Sequence, residues 1–343
     1  MMGALRHAAT QAQARARLPG LLALPTWQAL LEQGDVAGIA ARLQDSAYGG
    51  ELPTEPAALE RRLTAVLAEE THVAATFTWG ALRALLVAYG RRFELANVKT
   101  VLRARHHGIP WERCAVVMIP LPRSTVPWRT LLEAPTTEAV ARLLEGTPFA
   151  RPLTTVLEQQ GDATPFRFEV ALDLAYFQDL VRRIERLSGR DGQRARTFLG
   201  GWIEVENLSW AFRYRRLAGL TPEETVNYTL HRAFGAGLEA VRRVVTGASV
   251  TDEAARLGYA VDADAPEDEA LAALERAAGQ ARTEAAERVF QGAPFDLGAP
   301  LALLTLRETD VHDLVTLIAG VTAGLARTAM ATRFVGPARE LGA

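Results

Sequence analysis

The chain has 343 residues, 49% hydrophobic and 23% charged, enough to bury a sizeable core and too apolar for a disordered polymer. Its 38 basic and 40 acidic residues nearly cancel, so there is no global attraction for nucleic acid or anionic lipid. A single cysteine, Cys114, excludes an intramolecular disulfide and a cysteine zinc cluster, and the single lysine, Lys99, follows no glycine-rich loop, which excludes a P-loop.

At the amino end, Arg6, Arg15 and Arg17 precede only the short apolar patch Leu21 to Leu24, with no small-residue cleavage site, so no secretory signal is expected. Trp27 to Leu43 carries Leu30, Leu31, Val36, Ile39, Ala40 and Leu43 near the 3.6 period, which predicts a helix. Leu59 to Leu67, Leu82 to Val87, Val170 to Leu187, Thr225 to Val245 and Ala270 to Val289 read the same way. Ala115 to Ile119 is the one short run that could be extended, and Asp191-Gly192 falls in a polar loop. Thr221-Pro222-Glu223-Glu224 predicts an N-cap with a capping box. Pro120-Leu121-Pro122 and Gly292-Ala293-Pro294 are breaks. Leu314 to Ala326 is uncharged for 13 residues, short of the about 20 needed to cross a bilayer, and reads as a buried helix. The expected class is all-α.

A pattern recurs along these helices. Glu94, Asn97, Val98, Val101 and Leu102 end at Gly108; Glu204, Asn207, Leu208, Ala211 and Phe212 end at Gly219; Asp310, Asp313, Leu314, Leu317 and Ile318 end at Gly324. The two spacings between the Asn or Asp positions are 110 and 106 residues. Arg103 and Arg105 are answered by Arg213 and Arg215, and Ala-Arg-Leu recurs around Arg42, Arg142 and Arg256. Three homologous helical units follow, at residues 1–120, 121–231 and 232–343.

Catalytic signatures are missing from this pattern. The histidines form no His-Glu-x-x-His, the adjacent His106 and His107 face different ways on a helix, and Cys114 has no activating neighbour. Glu204 and Glu206, two apart on a helix, diverge. No Gly-x-Ser-x-Gly or Gly-x-Gly-x-x-Gly occurs. Asn97, Asn207 and Asp313 admit two readings: polar ties within each unit, or a surface for a partner. Residues 91–129 hold eight basic side chains against two acids, and residues 251–275 hold eight acids against Arg256, which suggests either solvated surface or opposite docking faces. Arg103, Arg105, Arg213 and Arg215 are candidate interface arginines, since guanidinium suits interfaces, or else structural ones that pair with acids within the fold.

Asn97-Val98-Lys99-Thr100-Val101-Leu102-Arg103-Ala104-Arg105 resembles the Asn-Leu-Lys-x-Ile-Leu-Arg-x-Lys segment of the C subunit of bacterial and archaeal V/A-type rotary ATPases, related to the eukaryotic d subunit. Leu43 to Leu52, with Tyr48-Gly49, is similar to that family's Leu-x-x-Thr-x-Tyr-Gly-x-x-Leu element, and Glu204 to Leu208 and Arg307 to Leu325 are similar to its later repeats. The family's lysine is Arg105 here, and the third unit has Asp313 for asparagine. The resemblance implies three helical domains arranged as a funnel-like socket. It further implies a non-catalytic subunit at the cytoplasmic face of the membrane, linking central-shaft subunits of the D/F type to the membrane rotor ring. No cofactor, metal or nucleotide site of its own is expected. The alternatives are a helical scaffold unrelated to a motor and a cofactor-free helical enzyme.

Overall fold

Caps and prolines set where several helices begin, and glycines close two of the longest. In the computed structural model, which describes residues 2–161, 164–217, 219–291 and 298–342, the described residues form helices and turns with no strand. The first helices are α1 (Met2–Arg17), α2 (Leu24–Leu31), α3 (Val36–Leu43), α4 (Pro56–Thr76) and α5 (Gly80–His106). They are followed by α6 (Trp111–Ala115), α7 (Trp128–Glu133), α8 (Thr137–Leu143), α9 (Ala150–Gln160) and α10 (Pro165–Glu185). Then come α11 (Gly189–Ala195), a π-helical turn over Arg196–Gly200, α12 (Gly201–Arg215), α13 (Pro222–Asn227), α14 (Leu238–Val245) and α15 (Val250–Arg256). The chain closes with α16 (Glu267–Gln291), α17 (Ala299–Thr322) and α18 (Arg327–Ala331).

Four local expectations change. The helix expected over 27–43 splits into α2 and α3, because Asp35 takes the N-cap position and its Oδ1 accepts the Gly38 amide at 2.7 Å. The helix expected over 225–245 splits into α13 and α14, since the main chain at Leu230 and Ala236 turns to meet Asn207. Ala115 to Ile119 is no strand: α6 ends at Ala115 and the chain turns. Asp191-Gly192 lies inside α11, where a Cβ on Gly192 would meet the Leu187 carbonyl oxygen at 2.4 Å. The break expected at 292–294 lies outside the described residues.

The Thr221 capping box is formed: Thr221 Oγ1 accepts the Glu224 amide at 3.1 Å while Glu224 accepts the Thr221 amide at 2.9 Å. Gly108, Gly219 and Gly324, the ends of the three repeated segments, all have positive φ. After α5 and α17 the next amides, Ile109 and Leu325, reach back to Ala104 and Gly320, closing the helix ends as a Schellman turn does.

Long helices pack in pairs: α5 along α10, α12 along α16, and α17 between α16 and α4. Leu314 to Thr322, within the uncharged run, is the carboxyl half of α17, with Leu314, Leu317 and Ile318 fully buried. Three apolar cores result. One gathers α5 to α10 with the end of α16 and the start of α17, and a second gathers α12 to α16. The third joins Trp27 to Leu67 with Val311 to Ala338, so the first and last parts of the chain share one core.

Candidate functional site

Asn97, Asn207 and Asp313 each sit buried on the long helices α5, α12 and α17. The Asn97 amide donates to the Ile119 carbonyl and accepts the Ile119 N–H, both at 2.8 Å, 22 residues downstream. Asn207 does the same with Leu230, 23 residues downstream, and also donates to the Ala236 carbonyl. Asp313 faces two N–H groups instead, accepting from Val335 and Gly336 at 2.8 Å. A carboxylate is the correct side chain there, because an amide would turn a donor toward a donor. A Cβ on Gly336 would sit 3.0 Å from Asp313 Oδ2, so this loop needs glycine to approach. The acid three residues earlier ties an adjoining segment: Glu94 accepts from Ser124, and Asp310 accepts from the Leu22 amide and the Tyr48 hydroxyl.

The candidate interface arginines are engaged within the fold. Arg103 pairs with Glu169 on α10, and Arg213 pairs with Glu275 on α16 at 2.8 Å. Arg105 donates to the carbonyls of Leu132 and Ala134 at the end of α7. Arg215 donates to Val244 and Ala248 at the end of α14, and to Glu267. Both therefore satisfy orphan carbonyls where a short helix stops. The local charge excesses are largely spent in the same way. Arg92, Lys99, Arg123 and Arg129 pair with Glu308, Asp173, Glu69 and Glu133. Within 251–275, Glu253, Glu267, Asp268 and Glu275 meet Arg243, Arg215, Arg216 and Arg213. Burial pushes the Asp173 carboxyl up despite Lys99.

A junction that sequence reasoning missed lies where the long helices meet. Arg92, Trp202 and Glu308 each stand five residues before Asn97, Asn207 and Asp313. Arg92 donates to Glu308 and lies over the rings of Tyr89 at 4.1 Å, Phe93 at 4.8 Å and Trp202 at 5.8 Å. Its Nε and Nη2 have no acceptor among the described residues and face these rings instead. Glu308 also accepts from Tyr89 at 2.7 Å and from Arg282. Burial alone would raise the Glu308 carboxyl, but Arg92, Arg282 and the Tyr89 hydrogen bond reverse this and hold it down at about 2. The signal that could have found the junction is the shared register, since the three residue types have nothing else in common.

Among the described residues, sizeable grooves open between helices at two places. The larger, about 1330 Å³, lies between α12, α16, α17 and residues 332–335, with Trp202, Glu206, Arg213, Glu275, Arg282 and Glu308 on its walls. Burial and the neighbouring Glu275 push the Glu206 carboxyl up. The smaller, about 690 Å³, lies between α4, α5 and residues 120–124. Cys114 is buried, which raises its thiol. The exposed rings of His106 and His107 stand edge to face at 5.1 Å. Among the described residues, no three His, Cys, Asp or Glu side chains are placed to hold a metal ion, and no helix is long and apolar enough to cross a membrane.

The profile of the ATP synthase (C/AC39) subunit family matches residues 10–333. The C subunit of the A-type ATP synthase of Methanocaldococcus jannaschii is 26% identical over 310 residues, covering 85% of this chain and 76% of that protein. The protein of the same name from Haloferax volcanii is 26% identical over 334 residues, 92% of this chain and 93% of that one. That of Methanothermobacter thermautotrophicus is 23% identical over 268 residues, 75% and 69% of the two chains.

Proposed function

The chain belongs to the ATP synthase (C/AC39) subunit family, and we propose from that premise that it is the coupling piece between the central shaft and the membrane rotor ring of a rotary ATP synthase. The single observation carrying this is the family match over nearly the whole chain, which also displaces the unrelated-scaffold reading. In this role the protein transmits torque and performs no chemistry. A torque-bearing part needs internal stiffness, and the charged side chains that might have been docking groups are spent on ties between helices. The proposed units are residues 1–120, 121–231 and 232–343, each contributing one residue to the Arg92–Trp202–Glu308 junction, with the first and third also sharing a core. The larger groove beside that junction is the proposed seat of the shaft's tip, and the chain sits as a peripheral subunit on the cytoplasmic face. Asn97, Arg103, Arg105, Asn207, Arg213, Arg215 and Asp313 serve in this proposal as internal ties.

The test is to purify a tagged chain from its native membranes under mild detergent and identify its companions. Shaft and ring subunits should co-purify in fixed proportion. A folded chain that brings down neither, from membranes where the rest of the complex is intact, contradicts the proposal.

A further inference from the structure

The smaller groove has the features of a docking site for a helix, and nothing above uses it. Its α4 wall presents Arg62, Ala65, Ala68, Thr71, His72 and Ala75, one face of the helix by their spacing. Facing it, α5 presents Leu86, Val87, Gly90 and Arg91. Alanines at 65 and 68 leave room between the walls, while Gly90 lets α5 approach α4, since a Cβ there would meet Thr71 Cγ2 at 3.2 Å. The third wall is Pro120-Leu121-Pro122, held in place by Arg123 on Glu69 and by Ser124 on Glu94. The apolar surface continues past the groove: Phe77, Trp79 and Val87, all on the α4–α5 hairpin, are each 40% exposed or more.

The charges choose the partner. Glu69 is ion-paired with Arg123, and Glu94 is hydrogen-bonded to Ser124 but keeps its charge, whereas Arg62 on one wall and Arg91 on the other meet no acceptor among the described residues. Arg83, exposed two turns before Arg91 on the same stripe of α5, is likewise unmatched. On the α5 side Arg83 and Arg91 outnumber Glu94, and on the α4 side Arg62 stands alone, so the net charge at the rim is positive on both sides. The backbone chooses the partner's shape. The groove walls are helices whose amides are bonded internally and a loop with two prolines, so they offer an incoming extended strand little to pair with. A partner must satisfy its own backbone, as a helix does. From Arg62 to Ala75 the wall is about 20 Å long at 1.5 Å per residue, which matches four turns.

We propose that this groove binds an amphipathic α-helix of another protein, with an apolar stripe against Ala65, Ala68, Val87 and Leu121 and acidic side chains on both edges, salt-bridged to Arg62 and Arg91. The inference goes beyond the coupling role and does not depend on it, because it concerns a different groove from the one proposed for the shaft.

The test uses the full chain and two synthetic helical peptides with the same leucine stripe, one flanked by glutamate and one by lysine, with binding followed by fluorescence anisotropy. The glutamate peptide should bind about tenfold tighter than the lysine peptide, a difference that shrinks with salt. Arg62→Glu with Arg91→Glu should reverse that preference, and the milder Arg62→Gln with Arg91→Gln should abolish it while the thermal melt stays unchanged. Ala68→Trp, filling the groove, should remove binding of both peptides. Equal binding of the two peptides, no binding of the glutamate peptide, or binding that survives Ala68→Trp overturns the proposal. So does self-association of the chain that Ala68→Trp abolishes without any peptide binding, since the occupant is then a second copy.

Discussion

Asn207 and Asp313 occupy the same position on equivalent helices yet cannot exchange side chains, because the main chain offers them different atoms. Asn207 faces one N–H and two carbonyls, whereas Asp313 faces two N–H groups. Asn207→Asp aims a carboxylate at carbonyl oxygens, and Asp313→Asn leaves one buried amide without an acceptor. Each swap should cost about 1–3 kcal/mol, read as a lower urea midpoint at unchanged m-value. Neutral swaps would show that these bonds do not hold the loops. Two buried acids make opposite predictions about pH. Glu308 is held at about 2, below its ordinary 4.5, so its stabilisation is complete above 4.5 and is lost as pH falls toward 2. Asp310 is raised by burial from 3.8 to about 7, so its contribution is complete below 3.8 and is lost as pH rises through 7. Glu308→Gln should therefore flatten the acid limb of a stability–pH curve, worth roughly 3 kcal/mol, and Asp310→Asn should flatten the decline between 3.8 and 7. Chemical denaturation from about pH 2 to about pH 8 measures both.

At the scale of helices, what could be read from the sequence was what repeats locally. Apolar spacing marked α4, α5, α10 and α16, and the glycines at 108, 219 and 324 marked the ends of the repeated segments. Splits inside an apolar run were not legible. The breaks that make α2 and α3, or α13 and α14, depend on a cap at Asp35 and on main chain drawn toward Asn207, and neither disturbs the apolar period. The charge runs left two readings open, because a local count cannot tell that Arg103 and Arg105, or Arg213 and Arg215 outside the runs, find partners 27 to 66 residues away. The junction of α5, α12 and α17 hid for the opposite reason: a cation, an indole and an anion in one register share function without likeness. Arg92→Met and Glu308→Gln should each destabilise the chain, and their double-mutant cycle should show a coupling of roughly 1–3 kcal/mol by urea unfolding. Additive effects would mean that the junction does not join these helices energetically.

For the whole molecule, a chain whose first and last parts share a core behaves as a closed body. α17, which packs against both α16 and α4, joins the two ends of the chain, and in the proposed coupling role it is the element through which a load would spread. Such a body suits a coupling part, and that function resides in surfaces and stiffness, which short motifs describe poorly. Family likeness supplied what the spacing of residues did not. The coupling claim is tested most directly in inverted membrane vesicles that contain the rest of the complex, by measuring ATP hydrolysis and ion uptake together before and after adding back this chain. Without it, hydrolysis should persist while ion uptake falls to background, and adding the purified chain should restore uptake in proportion to hydrolysis. Ion uptake that runs at full rate in vesicles lacking the chain would contradict the account.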